Sequence, residues 1–416
     1  MRLATWAAFA ASITLAFLSS AAVAGDHDHD RDYQRRDDNI QLGERPFFLV
    51  QGMDPGPLKS RLLKCRNGPF RRTDFSIAHR GAPLQLPEHT KEAYEAGARM
   101  GAGIVECDVT FTKDGQLVCR HDECDLHTTT NIVNTELNAS CSVPWSGAGS
   151  EPRCCASDIT LSQFKTLKGK MDASNPAATT AAGYLGGTAG FRTDLYNSRG
   201  TLLTLKESIA LNRSLGVKHT PELKAGNAAR VAQVFGSQTN YARAMIDEFK
   251  RARVDPRDVW AQSFNLGDVV YWVEQEPAFG RQAVYLDDVD PGAGIPRLTA
   301  AELRAVRARG VRIFAPPIPA LLAVDNNDKV VPSQYAKDIR SANLGIITWS
   351  FERADLRQGA SKAGFYYGFD PEGRAIKKDS DMYYALDTLA QDVGILGIFS
   401  DWPATVSYYA SCMGYD

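Results

Sequence analysis

Eight short apolar segments alternate with helical patterns between residues 75 and 400, and this alternation constrains the fold more than any other feature. The predicted strands are Phe75–Arg80, Ile104–Val109, Val217–Leu223, Val259–Phe264, Ala283–Leu286, Val311–Phe314, Gly345–Trp349 and Leu396–Ser400. The predicted helices between them include Glu88–Met100, Thr299–Arg309, Ser333–Ala342 and Met382–Asp392. Alternating β and α elements indicate an α/β protein with a parallel sheet, and eight units favour a (β/α)8 TIM barrel over a doubly wound open sheet.

One segment interrupts the alternation between Asp122 and about Gly200. It is rich in Gly, Thr, Ser, Asn and Cys and follows the second predicted strand. Because active-site loops leave the C-terminal ends of barrel strands, we expect a cysteine-containing insertion, about residues 123–200, that rises over the mouth of the barrel.

The N-terminus carries the pattern of an export signal. Arg2 precedes an apolar run from Leu3 to Leu18, and Ala22-Val23-Ala24 matches a cleavage site. We therefore predict a signal peptide at residues 1–24, with an uncleaved anchor as the alternative. Polar residues follow and predict a disordered His/Asp-rich linker at residues 25–45, which leaves 46–416 for the barrel domain. We expect no transmembrane segment in the mature chain and export to a periplasm or the medium.

The charge of the chain narrows the class of protein. The formal net charge is −2 and no basic stripe is present, which argues against a nucleic-acid partner.

Eight cysteines in an exported protein predict disulfides. Cys65 and Cys412 are candidates to join the two ends of the chain, whereas Cys107 and Cys119, inside predicted strands, are expected to be buried free thiols. We expect pairs among the cysteines of the insertion: Cys124, Cys141, Cys154 and Cys155.

Three carboxylates form a candidate cation site. Glu106 and Asp108 stand two residues apart on a predicted strand and therefore project to the same face. Two such carboxylates repel each other unless a cation lies between them, and Glu222 at the end of the third strand could supply another ligand. Oxygen-only ligands favour one divalent cation, Mg²⁺ or Ca²⁺, over zinc.

Two histidines end extended segments on the same side of the predicted barrel. His79 and His121 therefore suit the two proton transfers that cleavage of a phosphodiester requires, one to each. For His89 and His219 we expect surface or packing roles.

Two cations lie beside these residues in the sequence. Arg80 presents a fork that matches phosphate oxygens, with a salt-bridged rim arginine as the alternative role. Lys224 follows Glu222 by two residues and could hold another phosphate oxygen. Gly81 would let the backbone approach the substrate closely, although a plain turn also explains it.

These residues belong to a set of motifs that resembles the glycerophosphodiester phosphodiesterase family. The resemblance covers roughly residues 75–410. The matching segments are HRG at 79–81, PEHT at 87–90, ECDVTFTKDG at 106–115, RHD at 120–122, PELK at 221–224, QSF at 262–264, TW at 348–349 and FSDWP at 399–403. Two positions differ from the family pattern: His89 replaces the usual Asn, and Trp402 replaces Tyr.

The resemblance implies a TIM barrel that uses one divalent cation to hydrolyse deacylated phospholipids. Substrates such as glycerophosphocholine and glycerophosphoethanolamine would yield sn-glycerol 3-phosphate and an alcohol. The implied roles are acid–base catalysis for His79 and His121, metal binding for Glu106, Asp108 and Glu222, and phosphate contact for Arg80 and Lys224. Two alternatives remain at this point: a lipid phosphodiesterase similar to the spider sphingomyelinase D enzymes, and a catalytically silent binding protein.

Overall fold

The computed structural model describes residues 40–290 and 293–415. The predicted signal and most of the predicted linker, residues 1–39, lie outside the described residues. Within the rest of the predicted linker, Leu42 is buried, and a helix begins at Arg45.

Eight parallel strands close into a barrel, which confirms the predicted (β/α)8 fold. In chain order the strands are β1 (Thr73–Ala78), β2 (Ala102–Phe111), β3 (Leu117–Cys119), β4 (Lys218–Leu223), β5 (Gln262–Ser263), β6 (Val284–Leu286), β7 (Ile313–Ala315), β8 (Leu322–Val324), β9 (Val330–Pro332), β10 (Gly345–Phe351) and β11 (Gly397–Ser400). The order around the barrel is β1-β2-β4-β5-β6-β7-β10-β11, and β11 pairs with β1. β3 adds to β2 in antiparallel orientation, and β8 pairs with β9 outside the barrel.

Helices connect the strands, and several of them begin at side-chain caps. Thr204 and Glu207 form a capping box at the start of the helix Leu205–Leu215, and Gly216 ends it in the left-handed conformation. The α-helices are Arg45–Gly52, Pro57–Lys64, Lys91–Arg99, Leu126–Thr129, Leu161–Phe164, Ala181–Tyr184, Leu205–Leu215, Ala228–Phe235, Gln238–Arg251, Leu266–Gln275, Pro277–Gly280, Ala300–Ala308, Ile318–Leu321, Gln334–Ser341, Met382–Asp387 and Pro403–Met413. Single turns of 3-10 helix lie in the loops, and Met382–Asp387 continues into a π-helical segment, Thr388–Val393.

The two faces of β2 show how the core positions the site. Val105, Cys107 and Val109 pack into the layer between the barrel and its helices. Ile104 points the other way, into a small apolar cluster inside the barrel with Phe399. Since side chains alternate along a strand, Glu106 and Asp108 share the inner face with Ile104.

The insertion has its own small core. Most of this core consists of apolar side chains between positions 126 and 202, among them Ile132, Ile159 and Phe164. The insertion also contacts a barrel loop, because the backbone N–H of Thr193 donates to the carbonyl oxygen of Leu84 after β1 at 3.2 Å.

All eight cysteines form disulfides. Cys65 and Cys412 join the two ends, as predicted, and the insertion cysteines pair as Cys124–Cys155 and Cys141–Cys154. The expectation of free thiols at Cys107 and Cys119 is wrong, because β3 lies antiparallel to β2 and brings these two residues into a disulfide.

In the part of the chain that the structure describes, no helix has both the length and the apolar character needed to cross a bilayer.

Candidate active site

Three buried carboxylates meet at the C-terminal ends of two neighbouring strands. Glu106 and Asp108 project from β2, and the parallel register places Asp108 beside Glu222 of β4. One oxygen of each carboxylate lies within 4.8 Å of one oxygen of the other two. Asp108 Oδ1 is buried and has no hydrogen-bond partner among the described residues. An oxygen-only set with an unpartnered buried oxygen fits a hard divalent cation.

The negative charges of these three carboxylates repel one another. Burial, together with repulsion from Asp108 and Glu222, raises the pKa of Glu106 well above its ordinary value. Burial also raises the pKa of Glu222, to about 7, despite the nearby ammonium of Lys224. Burial acts against ionisation of Asp108 too, but its contact with His89 and the charges of Lys224 and Arg80 keep its pKa well below the ordinary range. A bound cation would relieve this repulsion.

His89 is a buried partner of the carboxylate cluster. Its Nε2 lies 2.8 Å from Asp108 Oδ2, and its Nδ1 lies 3.0 Å from the hydroxyl of Tyr94. Because burial lowers the pKa of His89, the neutral ring donates from Nε2 to Asp108 and accepts from Tyr94. We expected a surface or packing role for His89, but its hydrogen bond also connects it to the carboxylate cluster. His219 packs against Phe249, away from the cluster.

His79 is held by an aspartate that directly follows the last strand. Its Nδ1 lies 2.5 Å from Asp401 Oδ1, and its Nε2 lies 3.3 Å from the Ser350 hydroxyl and 3.9 Å from Glu106 Oε2. Burial and the charge of Arg80 lower the pKa of His79 to about 4, against the raising effect of Asp401. The ionised Asp401 can only accept, so the neutral ring carries its proton on Nδ1 and leaves Nε2 as an acceptor.

His121 lies in the segment after β3. It lines a cavity that His79 also lines, and it is only partly exposed. Burial is the main cause that lowers its pKa well below the ordinary value, and the positive charges of Arg80 and Lys224 add to it. A bound phosphodiester anion would act in the opposite direction and favour the protonated ring.

Arg80 and Lys224 both reach the cavity. Arg80 Nη1 donates to Glu88 at 3.1 Å, and its Nε lies 3.6 Å from Asp108. Lys224 Nζ lies 2.6 Å from Glu222 Oε1. Arg80 has a positive φ of 54°, and its backbone N–H donates to Glu106 at 3.0 Å. Such a strained conformation is typical of functional sites.

Gly81 lies at the turn after β1 and also has a packing role. Its φ is 99°, and a Cβ at this position would lie 2.7 Å from backbone and side-chain atoms of Ala93. The glycine therefore lets the helix Lys91–Arg99 approach the loop that carries His79 and Arg80.

These groups surround one cavity of about 380 Å³. Its lining combines charged and titratable side chains with aromatic and aliphatic ones. The lining residues are His79, Arg80, Glu106, His121, Glu222, Lys224, Phe264, Leu286, Trp349, Arg353, Tyr366 and Phe399.

Four residues around the site had no functional role in the sequence analysis. Gln262 donates to Glu106 at 2.9 Å, and Asp401 holds His79. Arg353 lines the cavity and donates to Asp401 at 2.9 Å, while His89 bonds Asp108. Asp401 lies in the FSDWP motif after β11 and Gln262 in the QSF motif of β5, so these motifs were a usable signal. Arg353 lies in a loop without any such signal.

Comparison with known proteins agrees with this arrangement. The glycerophosphoryl diester phosphodiesterase family matches residues 79–405, which include every residue of the carboxylate cluster and both cavity histidines. The chain belongs to this family. It is therefore a phosphodiesterase.

Two relatives and one solved structure show how far the similarity extends. A protein of Arthroderma benhamiae named "Extracellular protein" is 42% identical over 58% of this phosphodiesterase and 99% of its own length. A glycerophosphodiester phosphodiesterase of Arabidopsis thaliana is 22% identical over 80% of this chain and 85% of its own. A crystal structure from Silicibacter pomeroyi, assigned to the glycerophosphoryl diester phosphodiesterases, superposes with a TM-score of 0.55 at 17% identity, over 83% of this chain and 95% of that one. This superposition supports the fold.

Proposed function

We propose that this phosphodiesterase hydrolyses glycerophosphodiesters, such as glycerophosphocholine and glycerophosphoethanolamine, to sn-glycerol 3-phosphate and an alcohol, with one Ca²⁺ or Mg²⁺ ion. The observation that carries the proposal is the shared cavity. It joins a buried carboxylate cluster, two histidines and two cations, the groups that metal-assisted cleavage of a phosphodiester needs.

The cation would be held by Glu106, Asp108 and Glu222. When bound, it would neutralise charge on a phosphoryl oxygen and favour deprotonation of a nearby hydroxyl. Arg80 and Lys224 border the same cavity and contact the phosphoryl oxygens, where their fixed positive charges stabilise the negative charge that builds in the transition state.

His79 takes the first proton in this proposal. Asp401 fixes its Nδ1–H, and Nε2 is left as an acceptor in the cavity. That atom can accept the proton of a water molecule that attacks the phosphorus, or of the substrate's glycerol hydroxyl, in which case the cyclic phosphate that forms is then opened by water to glycerol 3-phosphate. His121 then gives a proton to the departing alkoxide, since the bound anion favours its protonated form.

The two histidine roles can be separated with an activated substrate. A glycerophosphodiester of p-nitrophenol has a leaving group that departs without a proton. His121→Ala should therefore lose much less kcat on this substrate than on glycerophosphocholine, whereas His79→Ala should lose activity on both. Equal losses for the two variants on the p-nitrophenyl diester would contradict the assignment.

The aromatic residues that line the cavity favour one second candidate, a lipid phosphodiesterase that resembles sphingomyelinase D. Phe264, Trp349 and Tyr366 line the cavity, and Trp349 stacks on Phe365. Phe264 and Phe365 are each 38% exposed. An apolar rim of this kind suits an acyl chain, so intact lipids belong in the substrate panel.

We also propose that the protein is exported. The four disulfides support this proposal, because such bonds persist in oxidising compartments. The name of the Arthroderma benhamiae relative agrees with it.

The test is a panel of substrates with and without a chelator. Purified protein is incubated with glycerophosphocholine, glycerophosphoethanolamine, lysophosphatidylcholine and sphingomyelin, and the products are identified by mass spectrometry. Asp108→Asn serves as the inactive variant, and Glu151→Gln, at an exposed position, is the control. Glycerol 3-phosphate from the two water-soluble diesters supports the proposal. Choline released from the two lipids alone would favour the second candidate.

A further inference from the structure

Arg353 bridges the catalytic cavity and the insertion. It follows β10, lines the cavity, and its side chain is only 18% exposed. Its Nη1 donates to Asp401 Oδ2 at 2.9 Å, and its Nη2 donates to Asp172 Oδ2 at 3.0 Å. Asp401 is the partner of His79, and Asp172 belongs to the insertion. A single guanidinium therefore joins the insertion to the carboxylate that holds a catalytic histidine.

The insertion holds Asp172 in place from the other side. Asp172 Oδ1 accepts a hydrogen bond from Arg192 Nη1, also in the insertion. Arg192 Nε donates to the carbonyl oxygen of Pro83 at 2.9 Å, in the loop that follows His79 and Arg80. Since both oxygens of Asp172 have cationic partners, the carboxylate cannot rotate without breaking one of these bonds.

Asp401 is held in the same way. Its Oδ1 contacts His79, and its Oδ2 accepts from Arg353. The plane of the carboxylate thus depends on Arg353, and the orientation of the imidazole depends on that plane. Glu88 Oε2 lies 3.9 Å from Arg353 Nη2. Without Asp172, Glu88 and Asp401 would therefore compete for the guanidinium of Arg353.

We propose that Asp172 is a positioning residue for catalysis: it fixes Arg353, which fixes Asp401 and through it the ring of His79. The insertion is then a working part of the active site. This inference rests on the proposed function, because it assumes that His79 transfers a proton.

The first experiment compares Asp172→Asn with a matched control. Arg230→Gln removes another ion pair between the barrel and the insertion, Arg230–Asp158 at 3.6 Å, which does not line the cavity. Asp172→Asn should lower kcat on glycerophosphocholine about tenfold or more, because small misplacements of catalytic groups are costly, while KM changes less than about twofold. Arg230→Gln should retain both constants.

Two further readouts separate positioning from loosened structure. The Nδ1–H resonance of His79 in ¹⁵N-edited spectra should shift in Asp172→Asn and stay in place in Arg230→Gln. Arg353→Lys keeps the charge but cannot bridge both carboxylates, so it should reproduce the kcat loss. If Asp172→Asn does not fold, Arg353→Lys carries the same comparison.

A double variant tests the order of the contacts. If Asp172 acts through Asp401, Asp172→Asn combined with Asp401→Asn should be no slower than Asp401→Asn alone. Losses that multiply would overturn the inference, as would an unchanged kcat in Asp172→Asn and Arg353→Lys. A wild-type protein inactive on every diester would instead refute the proposed function.

Discussion

The carboxylate cluster makes the stability of the protein depend on pH and cation together. The pKa of Glu222 is about 7 in the folded protein without a cation, against an ordinary value of 4.5. Its folded pKa is raised, so the stability it contributes is fully present below pH 4.5 and is lost as the pH rises through 7. A cation replaces the proton between the carboxylates, and its stabilising effect should therefore be larger at pH 8 than at pH 5.

The size of the effect follows from these values. The difference between the two pKa values corresponds to about 3 kcal/mol. Unfolding of about 370 described residues carries an entropy of about 0.8 kcal/mol per kelvin, at about 2.1 cal/mol/K per residue. Because part of this free energy is already lost at pH 5, Glu222 should account for a decrease of about 3 °C in Tm between pH 5 and pH 8 when a chelator is present.

Thermal unfolding of wild type and Glu222→Gln isolates this contribution. In chelator, the Tm of the wild type should fall by about 3 °C more than that of Glu222→Gln as the pH rises from 5 to 8. CaCl₂ or MgCl₂ should restore the wild-type Tm at pH 8 and change it little at pH 5. Glu151→Gln should follow the wild type. Parallel Tm curves for wild type and Glu222→Gln, or equal cation effects at both pH values, would refute the reasoning.

Three further predictions concern catalysis, cross-linking and cation affinity. His79→Ala and His121→Ala should each lower kcat/KM at least about hundredfold in a glycerol 3-phosphate assay, and near-normal turnover would remove that histidine from the mechanism. Replacing both Cys107 and Cys119 by Ala opens a loop with a sequence separation of 12 and should cost about 3 kcal/mol of unfolding free energy, whereas an unchanged urea midpoint would contradict this. His89→Leu should weaken Ca²⁺ binding about tenfold by calorimetry, and His89→Asn, which keeps an N–H donor, should lose less; equal affinity in His89→Leu and wild type would exclude the role.

The barrel could be predicted because its strands are buried on both faces and therefore read as apolar runs. The weakest element was β5, expected over Val259–Phe264 but paired only at Gln262–Ser263, with Val259 in an isolated bridge to His219. Strand pairing there depends on neighbours in the barrel, which local patterns do not specify.

Within the site, contacts set by local spacing could be predicted from the sequence, whereas contacts that depend on closure of the barrel could not. The two-residue spacing of Glu106 and Asp108 was enough to place both side chains on one face of β2. The contact between His79 and Asp401 spans 322 positions and exists because β11 closes onto β1. Likewise, the Cys107–Cys119 disulfide depends on β3 turning back along β2, a partner that the sequence did not identify.

The most direct test of the whole account follows the phosphorus atom itself. ³¹P NMR of purified protein with glycerophosphocholine should show sn-glycerol 3-phosphate growing as the diester signal falls. The reaction should stop on addition of a chelator, resume with excess Ca²⁺ or Mg²⁺, and be absent in Asp108→Asn. Choline phosphate as the product, hydrolysis unaffected by the chelator, or an unchanged diester signal in the presence of cation would contradict the account.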